Sequence, residues 1–135
     1  VRFQKEVETC VHDLHRKLGV SGALLAGLAV AFGAFGAHAL RERIGVDAQA
    51  IWRTAVDYQF WHALALLVIA STTLHTLRTA RIAGMVLLAG CILFCGSLYA
   101  LALGAPRALG MITPIGGVAF LGGWVMLIVA FLRQR

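Results

Sequence analysis

Charge is what this chain lacks. Of its 135 residues only 13% are Asp, Glu, Lys or Arg, and the acids number six against twelve bases. Soluble domains average about 25% charged residues. With 60% of residues hydrophobic and a mean hydropathy of +0.84, the chain has too little polar surface to cover its apolar residues in water. That excludes a soluble globular domain and points to a single integral membrane domain. Four long runs hold no Lys, Arg, Asp or Glu: about Leu18–Leu40, Phe60–Leu77, Ile82–Leu103 and Met111–Leu132. A helical span needs about 20 apolar residues. The runs also lack the alternation of a barrel strand, so the expectation is an all-α, polytopic four-transmembrane-helix bundle.

Cysteine is scarce as well. Cys10, Cys91 and Cys95 are too few for a disulfide framework, and no Cys-x-x-Cys-His motif for haem attachment is present. Cys91 and Cys95 lie four apart on one face of the third run and read as buried inert thiols rather than a metal or redox pair. No Ser, His and carboxylate set, and no third ligand beside His38 and His62, is placed by spacing, so neither an enzyme nor a metal site is expected and no cofactor is assigned.

The bases that are present bracket the runs. Arg2, Lys5, Arg16, Lys17, Arg78, Arg81, Arg133 and Arg135 fall on one side, and Arg41, Arg43, Arg53 and Arg107 on the other. This pattern excludes a nucleic-acid face. By the positive-inside rule it places both termini in the cytoplasm. Residues 1–18 repeat Phe3, Val7, Cys10 or Val11, Leu14 and Leu18 at helical period, which predicts a separate amphipathic helix on the cytoplasmic leaflet, or one that docks a partner, ahead of a transmembrane domain at 19–135. A secretory signal is the competing reading of the start. The run is too long for its h-region, and residues 1–17 carry acids as well as bases.

The first run is rich in small residues, with Ala29, Gly33 and Ala37 on one stripe and Ala23, Gly27 and Ala31 on another. Close backbone approach drives helix pairing in lipid, so span one is expected at the centre, with Gly27, Gly33, Gly36, Gly116, Gly117 and Gly123 as packing positions. Asp47 is expected as an N-cap with Val46 and Ile51 as a hydrophobic staple, opening a short interfacial helix that bends or runs straight into span two and holds Trp52 and Tyr58 at the headgroups. Thr113 and Pro114 read as N-cap and first residue of span four.

The tripeptide His-Ala-Leu occurs twice, at His38 and His62, closing one run and opening the next. This predicts the two histidines level with each other at the non-cytoplasmic face. His38, Tyr58, Gln59, His62, Tyr99 and Thr113, near Ser97, form the candidate polar pocket. The preferred reading is structural: these groups hydrogen-bond helix ends and each other. The alternatives are a small-ligand binder or transporter, and a bis-histidine haem or metal site.

The strings Gly33-Ala-Phe-Gly-Ala-His-Ala-Leu40, Trp52-x-Thr54-Ala55-Val56-x-Tyr58-Gln59, His62-Ala-Leu-Ala-Leu-Leu67, Gly96-Ser-Leu-Tyr99, Ile112-Thr-Pro-Ile-Gly-Gly117 and Gly123-Trp124 occur in order. Together they resemble the small membrane-protein family known as domain of unknown function 423, which includes YgdD-like bacterial proteins and relatives of transmembrane protein 256. The likeness covers about Gly19 to Leu132. It implies four spans in a bacterial inner membrane or an organellar membrane, and it implies no activity. Residues 1–18 depart from the short starts usual in the family. The overall expectation is a non-catalytic accessory or assembly subunit whose partners are the lipid bilayer and either other membrane subunits or further copies of itself.

Overall fold

Apolar runs without internal charge satisfy their backbone in lipid by forming helices. The computed structural model describes the backbone of residues 2–133 and the side chains of residues 13–72, 74 and 76–133. It contains α1 (Arg2–His38), α2 (Val46–Ser71), α3 (Arg78–Ala102) and α4 (Ile112–Leu132), with 3-10 turns at Thr73–Thr76 and Arg107–Met111. Among the described residues three stretches, Asp13–His38, Arg78–Ala102 and Arg107–Leu132, are long and apolar enough to cross a membrane. α2 is long enough, at 26 residues, but Arg53, Asp57, Gln59 and His62 dilute its hydropathy.

Several boundaries differ from the sequence expectation. Residues 2–18 are continuous with span one in a single helix of 37 residues; the expected apolar stripe from Phe3 to Val11 lies outside the described side chains. The segment expected as a short interfacial helix is continuous with the second apolar run in α2, which ends at Ser71 rather than at the expected Leu77. The N-cap of α2 is Gly45, with no side-chain bond to the helix. Asp47 is the second residue of the helix, where its charge favours the positive end of the helix. Val46 is 86% exposed, so it makes no staple with Ile51. α4 begins at Ile112 with Met111 as N-cap, which puts Thr113 and Pro114 in its first turn. Pro114 fits there because the first-turn N–H groups have no intrahelical acceptor. α3 ends in a Schellman turn: Gly104 takes φ +90°, Gly104 N–H donates to Leu101 O at 3.1 Å, and Ala105 N–H donates to Ala100 O at 3.0 Å.

The helices pack in chain order as successive antiparallel neighbours. α1 lies along α2, α2 against α3, and α3 against α4. The core joins Leu18, Leu66, Ile69, Leu74, Leu87, Cys91, Cys95, Phe120 and Leu127. α2 and α3 are the inner helices. Contrary to the expectation from its small residues, α1 lies at the side, presenting Val20, Leu24, Leu28, Val30 and Phe35 outward. The outward face of α4 is likewise apolar, with Ile115, Val118, Leu121, Val125 and Ile128. Such a surface suits hydrocarbon, not water.

The small residues matter where helices touch. A Cβ on Gly116 would meet the Phe94 backbone nitrogen at 2.5 Å, and one on Gly123 would meet the Leu87 side chain at 2.5 Å. A Cβ on Gly36 would meet the Trp52 indole at 2.5 Å, and on Gly33 it would rest at 3.5 Å from Val56. Gly117 has only the Phe94 ring at 4.0 Å, and Gly27 faces open space. Gly22 and Gly90, which the stripes did not single out for packing, lie at 3.0 Å from Ala63 O and 2.9 Å from the Phe120 ring by the same measure.

This contrast is testable. Gly116→Ala should lower the unfolding midpoint in detergent, at a cost of about 1–3 kcal/mol, because a backbone atom cannot step aside. Gly27→Ala should leave it unchanged or raise it by up to about 1 kcal/mol through helix propensity. Equal effects at the two sites would contradict the packing described.

Candidate functional site

The inward face of α2 sets Trp52, Gln59 and His62 among apolar residues, and each of the three meets a partner. Gln59 is 3% exposed. Its Nε2 donates to Leu25 O on α1 at 2.9 Å, and its Oε1 accepts from the Tyr99 hydroxyl on α3 at 2.9 Å. One amide therefore ties three helices together. A turn further along, His62 is 4% exposed. Its Nδ1 lies 2.7 Å from Tyr58 O, and the Trp124 indole N–H of α4 donates to its Nε2 at 3.2 Å. A carbonyl only accepts and an indole N–H only donates, so the ring is the neutral tautomer with its proton on Nδ1. The imidazole stacks on Phe120 with centroids 3.5 Å apart and planes 15° from parallel, and on Tyr58 at 6.0 Å.

Nearer the α1–α2 turn, the Trp52 indole donates to Phe32 O at 2.9 Å and Gln49 donates to Gly36 O at 3.0 Å. Trp52 is buried between helices rather than presented outward, and its ring packs on Tyr99 at 4.6 Å and on Phe32 at 5.8 Å. Gly36 leaves the space that this indole fills. Between α3 and α4, the Ser97 and Thr113 hydroxyls bond at 2.7 Å. Thr113 is thus an interhelical contact rather than a cap. The Cys91 and Cys95 thiols are buried and free, 3.9 Å apart.

The candidate residues do not converge on one pocket. Tyr58 and His62 stack, Gln59 and Tyr99 bond, and Thr113 bonds Ser97. His38 is elsewhere: it is exposed at the end of α1, beside the start of α2. His62 lies about 24 Å farther down α2 at 1.5 Å per residue. The expected contact between the two histidines is therefore absent. The reason is that α2 starts at Val46, six residues before Trp52, so the Trp52–Gln59 segment is packed against α1 instead of lying on the surface. With a proton on Nδ1 and an indole on Nε2, His62 has no free lone pair to offer a metal or haem iron. Among the described residues, no three or more His, Cys, Asp or Glu side chains gather in a metal-sized group.

Sequence reasoning missed Phe120 and Trp124 as partners of His62. The Gly123-Trp124 string marks the position, but only the α3–α4 hairpin brings it across to α2. It also left unassigned the carbonyls of Leu25 and Phe32, because a backbone acceptor has no sequence signature.

The Gln59–Tyr99 bond gives a direct test. Gln59→Leu should destabilise the fold by about 1–3 kcal/mol, since the Tyr99 hydroxyl loses its acceptor in an apolar site. Tyr99→Phe should cost less in that background than in the parent. The coupling energy in a double-mutant cycle of unfolding should be about 0.5–2 kcal/mol. Strict additivity would mean that the bond contributes nothing.

The family described as Protein of unknown function (DUF423) matches residues 32–117, which include α2, α3 and every inward polar side chain described except Trp124. The chain is 48% identical over 114 residues to a UPF0382 membrane protein of Staphylococcus aureus, covering 84% of this chain and 93% of that one. A UPF0382 membrane protein of Staphylococcus epidermidis is 46% identical over the same shares. The UPF0382 membrane protein YwdK of Bacillus subtilis is 43% identical over 116 residues, covering 84% and 94%. No solved structure matches the chain. The apolar helices, the ordered motifs and relatives named as membrane proteins lead to one conclusion: this chain is a helical membrane protein of the DUF423 family.

Proposed function

We propose that this chain is a four-span protein of the bacterial inner membrane that carries out no catalysis and serves as an accessory or assembly subunit of a membrane complex. Both termini face the cytoplasm in this reading. The observation that carries it is the closure of the polar interior. Gln59, His62, Tyr99, Trp52, Ser97 and Thr113 are each hydrogen-bonded within the chain. A nucleophile, general base or transported solute would need some of those groups free to approach it. Bonded as they are, they hold helices together. What the bundle offers outward is helix surface.

In this reading α2 is the second crossing despite its modest hydropathy. It is antiparallel to α1 along its length, from Gln49 beside Gly36 to Ala70 beside Gly19, and it joins two helices that are apolar enough to span. Gln59 and His62, its most deeply buried polar residues, are tolerated because they face protein.

Two measurements test the proposal. In a variant with Cys10→Ser, Cys91→Ala and Cys95→Ala, Gly45→Cys should react with an impermeant maleimide only from the non-cytoplasmic side, and Ser71→Cys only from the cytoplasmic side. Labelling of both from one side overturns the topology. In mild detergent, the chain extracted from native membranes should migrate as an assembly larger than a monomer. A lone monomer that crosslinks to nothing in the membrane overturns the subunit role.

A further inference from the structure

The outward face of α2 differs from that of its neighbours. Ala50, Arg53, Thr54, Asp57, Trp61, Leu64 and Val68 are exposed along one helical row. Where α1 and α4 present aliphatic side chains, α2 presents a base and an acid one turn apart. Among the described residues neither Arg53 nor Asp57 has a hydrogen bond or ion pair.

Their depth follows from the helix register. Trp52 bonds Phe32 O and Gln59 bonds Leu25 O. Positions 53–57 therefore lie level with residues 25–32 of α1, the middle of its apolar stretch. If α2 crosses the bilayer as proposed above, the Asp57 carboxylate stands in hydrocarbon, where an isolated charge is costly. Arg53 has an escape. Its long stem lines a cleft of about 350 Å³ with Arg41, Ile44, Val46 and Gln49, toward the α2 N-terminus and the headgroups. Asp57 is too short to follow. Within one copy the two side chains form no ion pair, and a base four residues before an acid is the weaker order for one.

We propose that this row of α2 is the interface for a second copy of the chain, with Arg53 of each copy paired to Asp57 of the other. A two-fold axis along the membrane normal sets the same row of both copies face to face. One base and one acid per copy then become two ion pairs, and no charge is left over. That self-complementarity favours a second copy over an anionic lipid or a partner of one sign, either of which would answer only one of the two charges. Ala50 and Thr54 on the same row let the helices approach closely. The Thr54 hydroxyl already bonds its own Ala50 carbonyl at 3.0 Å, so it brings no unmet polar group to the contact. The proposal rests on the membrane-crossing reading of α2 and goes beyond the subunit role by naming the partner.

The test is crosslinking in native membranes, in the variant without native cysteines, using copper phenanthroline. Thr54→Cys should give a product of twice the chain mass, and Val118→Cys, on the outward face of α4, should not. Asp57→Arg should reduce the Thr54→Cys product several-fold. The exchanged pair Arg53→Asp with Asp57→Arg should restore it, which separates loss of the ion pair from misfolding. The proposal is overturned by no dimer from Thr54→Cys, by equal products at both positions, or by a yield indifferent to Asp57→Arg. A product of another mass at Thr54→Cys also overturns it, while leaving the accessory role standing. If sided labelling at Gly45→Cys and Ser71→Cys fails, the crossing of α2 has failed, and the proposal falls with it.

Discussion

A buried N–H or O–H without a partner is costly in an apolar interior, because no water is at hand to replace the missing bond. That constraint organises this protein. α2 carries Trp52, Gln59 and His62 into the bundle, and each must find a partner on another helix or on its own backbone. The partners are the carbonyls of Phe32 and Leu25 on α1, the Tyr99 hydroxyl on α3, the Tyr58 carbonyl on α2 and the Trp124 indole on α4. Every one of these bonds has α2 at one end.

Glycine sets how closely the partners approach. Gly36 makes room for the Trp52 indole, Gly116 for the Phe94 backbone and Gly123 for Leu87. These positions and the hydrogen bonds act together. The indole reaches the Phe32 carbonyl from the space that Gly36 leaves, and Gly123 lets α4 close on α3, which brings Phe120 and Trp124 to the His62 ring. Dispersion supplies the contact area and polar groups fix the register.

The same constraint separates the two faces of α2. Inward groups are bonded within the chain and hold the fold. Outward groups at similar depth, Arg53 and Asp57, have no such partner among the described residues, and the proposed association rests on that difference. A tripeptide repeat that looks like a pair of ligands, at His38 and His62, is instead split. One histidine ends a helix at the surface, and the other is fixed in a single tautomer between an indole and a carbonyl.

Composition and the charge-free runs determine by themselves that the chain is helical and belongs in a membrane, because only helices and closed barrels satisfy backbone polar groups in lipid and the runs lack a barrel strand's alternation. The ordered motifs are enough to identify the family. The small residues of α4 and α1 also name several true contacts, since a missing side chain is a property of the residue itself. The tertiary structure decided the rest. Trp52–Gln59 is packed inside rather than laid on the surface, α2 rather than α1 is an inner helix, and Thr113 bonds across to Ser97 rather than capping. Each of these depends on a partner far away in sequence, often a backbone carbonyl identical in every residue. Periodicity reports which face of a helix is apolar, whereas the acceptor that a buried amide or indole will meet exists only once the helices are side by side.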